Sequence, residues 1–234
     1  MKLYRNINEE NRQAWLKQTL AALPAGARIL DAGAGELKNR PHCGHLEYVA
    51  QDFCQYKGQR GGAIDEGLQI KNWDTNRMDL VSDIAAIPAP DASFDAILCS
   101  EVLEHVPEPT HALDEFARLL KPGGKLILTA PFASLVHFAP YYYGTGFSRY
   151  WYEHHLPLRG FLIEELSSNG DWFAYYRQEL MRLGSTARRY GDWSWPLAYA
   201  LGALGAMYFK LRNGRKADDL ACFGWHNQTR GQSY

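Results

Sequence analysis

Arg28-Ile-Leu-Asp-Ala-Gly-Ala-Gly-Glu-Leu37 is an apolar run that meets an acidic residue and passes straight into a glycine turn. The run has the length of a buried strand, and Asp31 stands at its carboxyl end. Glycines at 33 and 35 let the backbone bend and lie against a ligand where any Cβ would intrude. In an open α/β sheet that edge is where ligands bind. A dinucleotide loop reads Gly-x-Gly-x-x-Gly, whereas here Lys38 holds the place of the last glycine, which counts against a pyrophosphate. An acidic side chain two positions before Gly33 also suits an ammonium group better than phosphates.

Three further stretches follow in order: Tyr48-Val-Ala-Gln-Asp52; Ser82-Asp-Ile84 with Phe94-Asp-Ala-Ile-Leu-Cys-Ser-Glu-Val-Leu-Glu-His105; and Leu120-Lys-Pro-Gly-Gly-Lys-Leu-Ile-Leu128. With Asp31-x-Gly33-x-Gly35, this set resembles the class I S-adenosylmethionine-dependent methyltransferases, of the small-molecule, methyltransferase type 11-like kind. The resemblance covers residues 25 to 131. Leu37 stands where the family carries a third glycine, so the turn departs from the family's pattern there. The resemblance implies an α/β fold, a Rossmann-like doubly wound sheet of about seven strands, mostly parallel with an antiparallel last strand. It also implies S-adenosyl-L-methionine as cofactor.

The chain reads as a single domain over 1–234, with a cofactor-binding core at 25–131, a substrate or lid segment at 132–160 and a helical insertion at 190–216. A formal net charge of -1 gives no clustered Lys and Arg surplus for phosphates, so no nucleic acid partner is expected. No Asn-Pro-Pro-Tyr follows the fourth strand and no Pro-Cys occurs, which points the same way. Cys43, Cys54, Cys99 and Cys222 lack metal-ligand spacing and read as reduced thiols, and no metal is expected. The N-terminus carries no apolar run of a signal peptide, so a cytoplasmic location is expected.

Along the chain, Ile7, Trp15, Leu16, Leu20 and Leu23 recur at helical spacing up to Pro24 and Gly26. In the resembling family such a helix lies over the cofactor, so Tyr4 or Trp15 could close the site; packing is the plainer role for each. Asp52 ends the second strand about 20 residues past the turn, where a carboxylate can accept from both hydroxyls of a ribose. The stretch from Gly58 to Gly67 is a loop. Asp83 and Ile84 follow the third strand, and the resemblance assigns them to the adenine. The cofactor-binding set is then Asp31, Ala32, Gly33, Ala34, Gly35, Asp52, Phe53, Asp83, Ile84, Ser100 and Glu101. Glu101 either holds the cofactor's ammonium group or starts a helix. His105 reads as a packed structural histidine. A helix opens at Pro107 to Thr110 and closes at Lys121-Pro-Gly-Gly124.

Beyond Pro131 the run from His137 to His155 is dense in aromatic residues, with Gly144 and Gly146 as hinges. Rings with polar tips build concave, partly apolar pockets. The expected substrate-binding residues are His137, Tyr141, Tyr143, Phe147, Arg149, Tyr150 and Trp151. A sulfonium donor needs alignment and water exclusion, and a base only where the acceptor loses a proton. His137 is the candidate base, since imidazole titrates near neutrality, with a structural histidine as the competing reading.

Residues 157–168 read as a helix, and 171–180 with 218–226 as the final strand pair. The stretch from Trp193 to Phe209, followed by Lys210, Arg212, Arg215 and Lys216, is slightly short for a span. It reads as a helix packed on its own body or on a partner subunit in a homo-oligomer. A peripheral membrane contact is the competing reading.

The function expected is in-line methyl transfer to a small molecule or to a cell-surface glycan or lipid precursor. A non-catalytic S-adenosylmethionine-binding module is the alternative. A nicotinamide-dependent oxidoreductase ranks last, because it needs the glycine that Lys38 replaces.

Overall fold

The computed structural model describes residues 7–56, 68, 74, 76–211 and 217–231. Tyr4, the loop from 58 to 67, and Arg212, Arg215 and Lys216 lie outside them. The chain forms two compact units: Arg12–Ser167 with Gly224 onward, and Ser168–Phe223 with the N-terminal residues up to Asn11.

The larger unit is built on a seven-stranded sheet. Its strands are β1 (Arg28–Ala32), β2 (Glu47–Asp52), β3 (Leu80–Val81), β4 (Phe94–Ser100), β5 (Leu120–Pro131), β6 (Phe161–Asn169) and β7 (Gly224–Gly231), in the order β3-β2-β1-β4-β5-β7-β6. Strands β3, β2, β1, β4 and β5 are parallel, and β7 runs antiparallel to β5. This is the Rossmann-like arrangement expected. β1 and β4 are central because their middle residues are apolar and covered: Ile29, Leu30, Ala96, Ile97 and Leu98 are fully buried.

Helix α1 (Ile7–Ala21) lays Leu16 and Leu20 over Ile29, Ala96 and Leu98. Each fully buried leucine contributes roughly 1.5–3 kcal/mol. Trp15 packs at the edge of this cluster, stacked on His226 at 4.7 Å, with Nε1–H donating to Glu165 at 3.0 Å. Helix α2 (Pro109–Leu119) buries Leu113, Phe116 and Leu119 and delivers the chain into β5. Helix α3 (Arg149–His155) follows the aromatic run.

Two sequence expectations are corrected. Residues 157–168 form a short 3-10 turn at Pro157–Arg159 and then β6, not a helix. Gly160, at φ +76°, stops the turn, and Glu164 is held across the sheet by Lys125 and Arg230. Residues 172–180 lie in helix α4 (Trp172–Arg189), not in a strand, and the last strand begins at Gly224 rather than 218, so the strand pair is β6 with β7. Asp171 caps α4 by accepting from the Ala174 N–H at 2.8 Å, and this local bond overrides the strand preference of its aromatic residues.

In the smaller unit α4 packs on helix α5 (Trp195–Lys210). A Cβ on Gly184 would lie 2.2 Å from the Tyr199 ring, and one on Gly202 would lie 2.3 Å from the Leu180 carbonyl oxygen, so glycine sets the approach of the two helices. Of the small residues of α5, Gly202 and Ala206 are buried, whereas Ala200 and Ala203 are exposed. The opposite face carries Leu197, Leu201, Leu204, Tyr208 and Leu211, each more than half exposed, at alternating four- and three-residue spacing. Among the described residues no helix is long and apolar enough to cross a membrane.

Candidate active site

Everything expected to touch the cofactor lies at the carboxyl edge of β1, β2, β3 and β4. The turn after β1 is tied to β2: the Gly33 and Ala34 N–H groups both donate to the Gln51 carbonyl at 2.9 Å. Gly33 has φ +77°, and a Cβ there would meet Val102 Cγ2 at 2.5 Å. Asp52, almost wholly buried, accepts from the Gly35 N–H at 3.1 Å and from the Cys54 N–H at 2.8 Å. A carboxylate has about four acceptor sites, so capacity remains for a vicinal diol. Asp31 lies beneath the turn, accepting from Tyr48 Oη–H at 2.6 Å. Burial pushes its carboxyl up to about 6, against the lowering effect of the Tyr48 and Asn39 hydrogen bonds.

At the end of β3, Asp83 is exposed and accepts from the Ala85 N–H, and Ile84 beside it is buried. At the end of β4, Ser100 Oγ lies 2.8 Å from Thr129 Oγ1. Glu101 has φ +57° and pairs with Arg12 at 2.9 Å. A non-glycine residue held left-handed at a sheet edge stores strain of a kind that clusters at functional sites. Arg12 escaped the sequence reading because nothing local marks one arginine of an N-terminal helix.

The aromatic segment folds back on this edge. The Tyr141 ring meets Phe53 edge-on at 5.0 Å, and Phe138 meets Tyr56 at 4.8 Å. The Tyr143 and Gly144 N–H groups donate to the Glu104 carbonyl at 3.0 and 3.1 Å. His137 comes to His105, ring centroids 4.6 Å apart. Phe147 and Trp151 pack on each other and on the buried Tyr152. Tyr150 is 71% exposed and Arg149 pairs with Glu153, so both stand on the solvent side of α3.

Glu104 and His105 were not among the expected site residues. Both lie in a short turn after β4, and His137 lies past β5. Since β4 and β5 are neighbours, paired Ser100 to Thr129, positions a few residues beyond each end meet. Burial, and then the Glu101 charge, raises the Glu104 carboxyl well above the usual range. Burial, and then His137, lowers the His105 imidazole to about 4. Burial raises the thiols of Cys43, to about 12, and of Cys99.

Residues 4–197 match the methyltransferase domain family. The chain belongs to that family, and with this sheet order it has the fold of the class I S-adenosylmethionine-dependent methyltransferases. Its cofactor is S-adenosylmethionine.

Among curated relatives, the ubiquinone biosynthesis O-methyltransferase of Xanthomonas axonopodis pv. citri is 41% identical over 110 residues, 45% of this chain and 44% of that protein. The protein of the same name from Xylella fastidiosa strain M23 is 35% identical over 113 residues, 45% of this chain and 42% of that one. The chain thus matches less than half the length of these relatives. The crystal structure of the 4+2 cyclase SpnF aligns with a TM-score of 0.56 at 20% identity, covering 96% of this chain and 81% of that one. Haemonchus contortus phosphoethanolamine N-methyltransferase 2, in complex with S-adenosyl-L-methionine, aligns at 0.54 and 16% identity, covering 96% and 53%. These likenesses describe the fold; a cyclase among them shows that the fold alone does not choose the reaction.

Proposed function

We propose that this chain transfers the methyl group of S-adenosylmethionine to a hydroxyl oxygen of a small molecule. In this reading Asp52 holds the ribose, and Asp83 with Ile84 holds the adenine. The turn from Ala32 to Gly35 lies under the methionine part, whose ammonium meets Glu101. Phe53 and Tyr141, in edge contact, close the cofactor pocket on the acceptor side. His137, Tyr143, Phe147 and Trp151 belong to the acceptor wall.

One observation carries the choice of a hydroxyl. A hydroxyl must shed a proton as it attacks a methyl group, and two imidazole nitrogens, Nε2 of His105 and of His137, converge on the Glu104 carboxylate just past β4. The O-methyltransferase relatives support the same reading.

The test is methyl transfer from S-adenosylmethionine labelled in the methyl group to phenols and catechols, with amines as the comparison. Label in the ether product is expected. Label only in amines, or no transfer while calorimetry shows bound cofactor, would overturn the reading; the second outcome would favour the non-catalytic binding module.

We further infer that the acceptor carries a lipid-like tail met at an anionic membrane surface. The apolar stripe of α5 supports this, with Arg177, Arg182, Arg188, Arg189 and Lys210 outnumbering Glu179 on α4 and α5 and Asp192 between them.

A further inference from the structure

Glu104 is 1% exposed, and neither of its carboxylate oxygens has a hydrogen-bond partner among the described residues. Burying such a group is costly unless a cation or a donor meets it. What faces it instead is a pair of imidazoles: Nε2 of His105 lies 3.7 Å and Nε2 of His137 lies 3.9 Å from Oε1. Both separations are too long for hydrogen bonds. The three groups surround a point without bonding one another.

The opposite nitrogen of each ring fixes the tautomer. Nδ1 of His105 is 2.6 Å from the Tyr141 carbonyl, and Nδ1 of His137 is 2.9 Å from the Leu135 carbonyl. A carbonyl only accepts, so each Nδ1 carries the hydrogen and each neutral ring presents an Nε2 lone pair. Metal-ligating histidines donate their second N–H to backbone carbonyls in this way. Phe138 and Tyr142 pack against both rings and hold their orientation.

We propose that Glu104, His105 and His137 bind one divalent first-row transition-metal ion. Their ligand atoms lie within 4.8 Å of one another, so an ion with bonds of roughly 2.0–2.2 Å fits after shifts of a few tenths of an ångström. Two imidazoles and one carboxylate suit borderline cations better than magnesium or calcium. Three protein ligands leave open positions for a substrate oxygen.

The role of the ion rests on the hydroxyl-transfer reading above. A coordinated acceptor hydroxyl gives its proton to solvent more readily than a free one. Its oxygen then attacks the methyl carbon. The C–O bond forms as the C–S bond breaks, the bonding pair stays on sulfur, and the sulfonium becomes a neutral thioether. The ion changes neither charge nor oxidation state.

The test is Co2+ titration of the chelator-stripped full chain, followed by visible ligand-field absorption, with Zn2+ as competitor. One equivalent should bind, and Zn2+ should displace it. Glu104→Gln and His137→Ala should each weaken binding by about tenfold to a hundredfold, while His111→Ala, at an exposed position, should leave it unchanged. Calorimetry with S-adenosylmethionine reports whether each variant is folded. If Glu104→Gln does not fold, His137→Ala decides. Equal Co2+ affinity in all three variants, or no ligand-field band in the native chain, overturns the site. Tight Co2+ binding without methyl transfer supports the site and overturns only the reaction on which its role rests.

Discussion

Nη1 of Arg12 lies 2.9 Å from Oε2 of Glu101, which joins the helix preceding the sheet to the strained residue at the end of its central strand. In the proposed reading Glu101 meets the cofactor's ammonium, and the ion pair with Arg12 fixes the place of that carboxylate. Arg12→Ala should therefore weaken S-adenosylmethionine binding by about ten- to a hundredfold, the scale of a charge-assisted hydrogen bond. Calorimetry at low and high salt checks it, and unchanged affinity would assign Arg12 to packing alone.

Asp52→Ala should cost more than one ligand contact, because the Gly35 and Cys54 N–H groups lose their acceptor together. We expect affinity to fall by a few kcal/mol at most. Asp52→Asn keeps one acceptor oxygen and should recover part of the loss. An affinity in Asp52→Ala equal to that of the native chain would remove Asp52 from the cofactor site.

The buried Asp31 gives a pH signature. Its folded value, about 6, lies above the ordinary 3.8, so the folded state takes up the proton more readily than the unfolded chain. The stability this group contributes is complete below pH 3.8 and is lost as pH rises through 6. Asp31→Asn should flatten that part of the Tm profile and raise Tm at neutral pH, if Tyr48 keeps its acceptor. A native profile with no decline attributable to residue 31 would contradict this.

For the α5 stripe, we expect the full chain to float with anionic liposomes and not with neutral ones. Leu201→Glu with Leu204→Glu should abolish flotation while melting stays near native, since both positions are exposed. Flotation that survives both substitutions would place the lipid contact elsewhere. A concentration-dependent dimer lost in the same variant would make the stripe a subunit interface.

The fold was legible because its signals are local. An apolar strand, Asp31, Gly33 and Gly35 specify the strand, the turn and the binding edge within a few positions, and Asp52 and Asp83 repeat the pattern at strand ends. Residues 157–180 were misread because β6 owes its form to distant partners, Lys125 and Arg230 holding Glu164, and α4 to one capping carboxylate. The Glu104, His105 and His137 grouping was invisible for a related reason. The chain separates these residues by α2 and β5, and only the neighbouring of β4 and β5 brings them together.

The slot of β7 between β5 and β6 bears on how the protein is made. β5 meets its antiparallel partner only after α3, β6, α4 and α5 have been synthesised. Until then a ribosome-bound chain presents the unpaired backbone edge of β5, a strand whose Leu126 to Ala130 are nearly all side-chain apolar and buried in the finished sheet. Emergence of Gly224 to Gly231 closes that edge, so the interval before it is when a nascent chain most needs shielding from its neighbours.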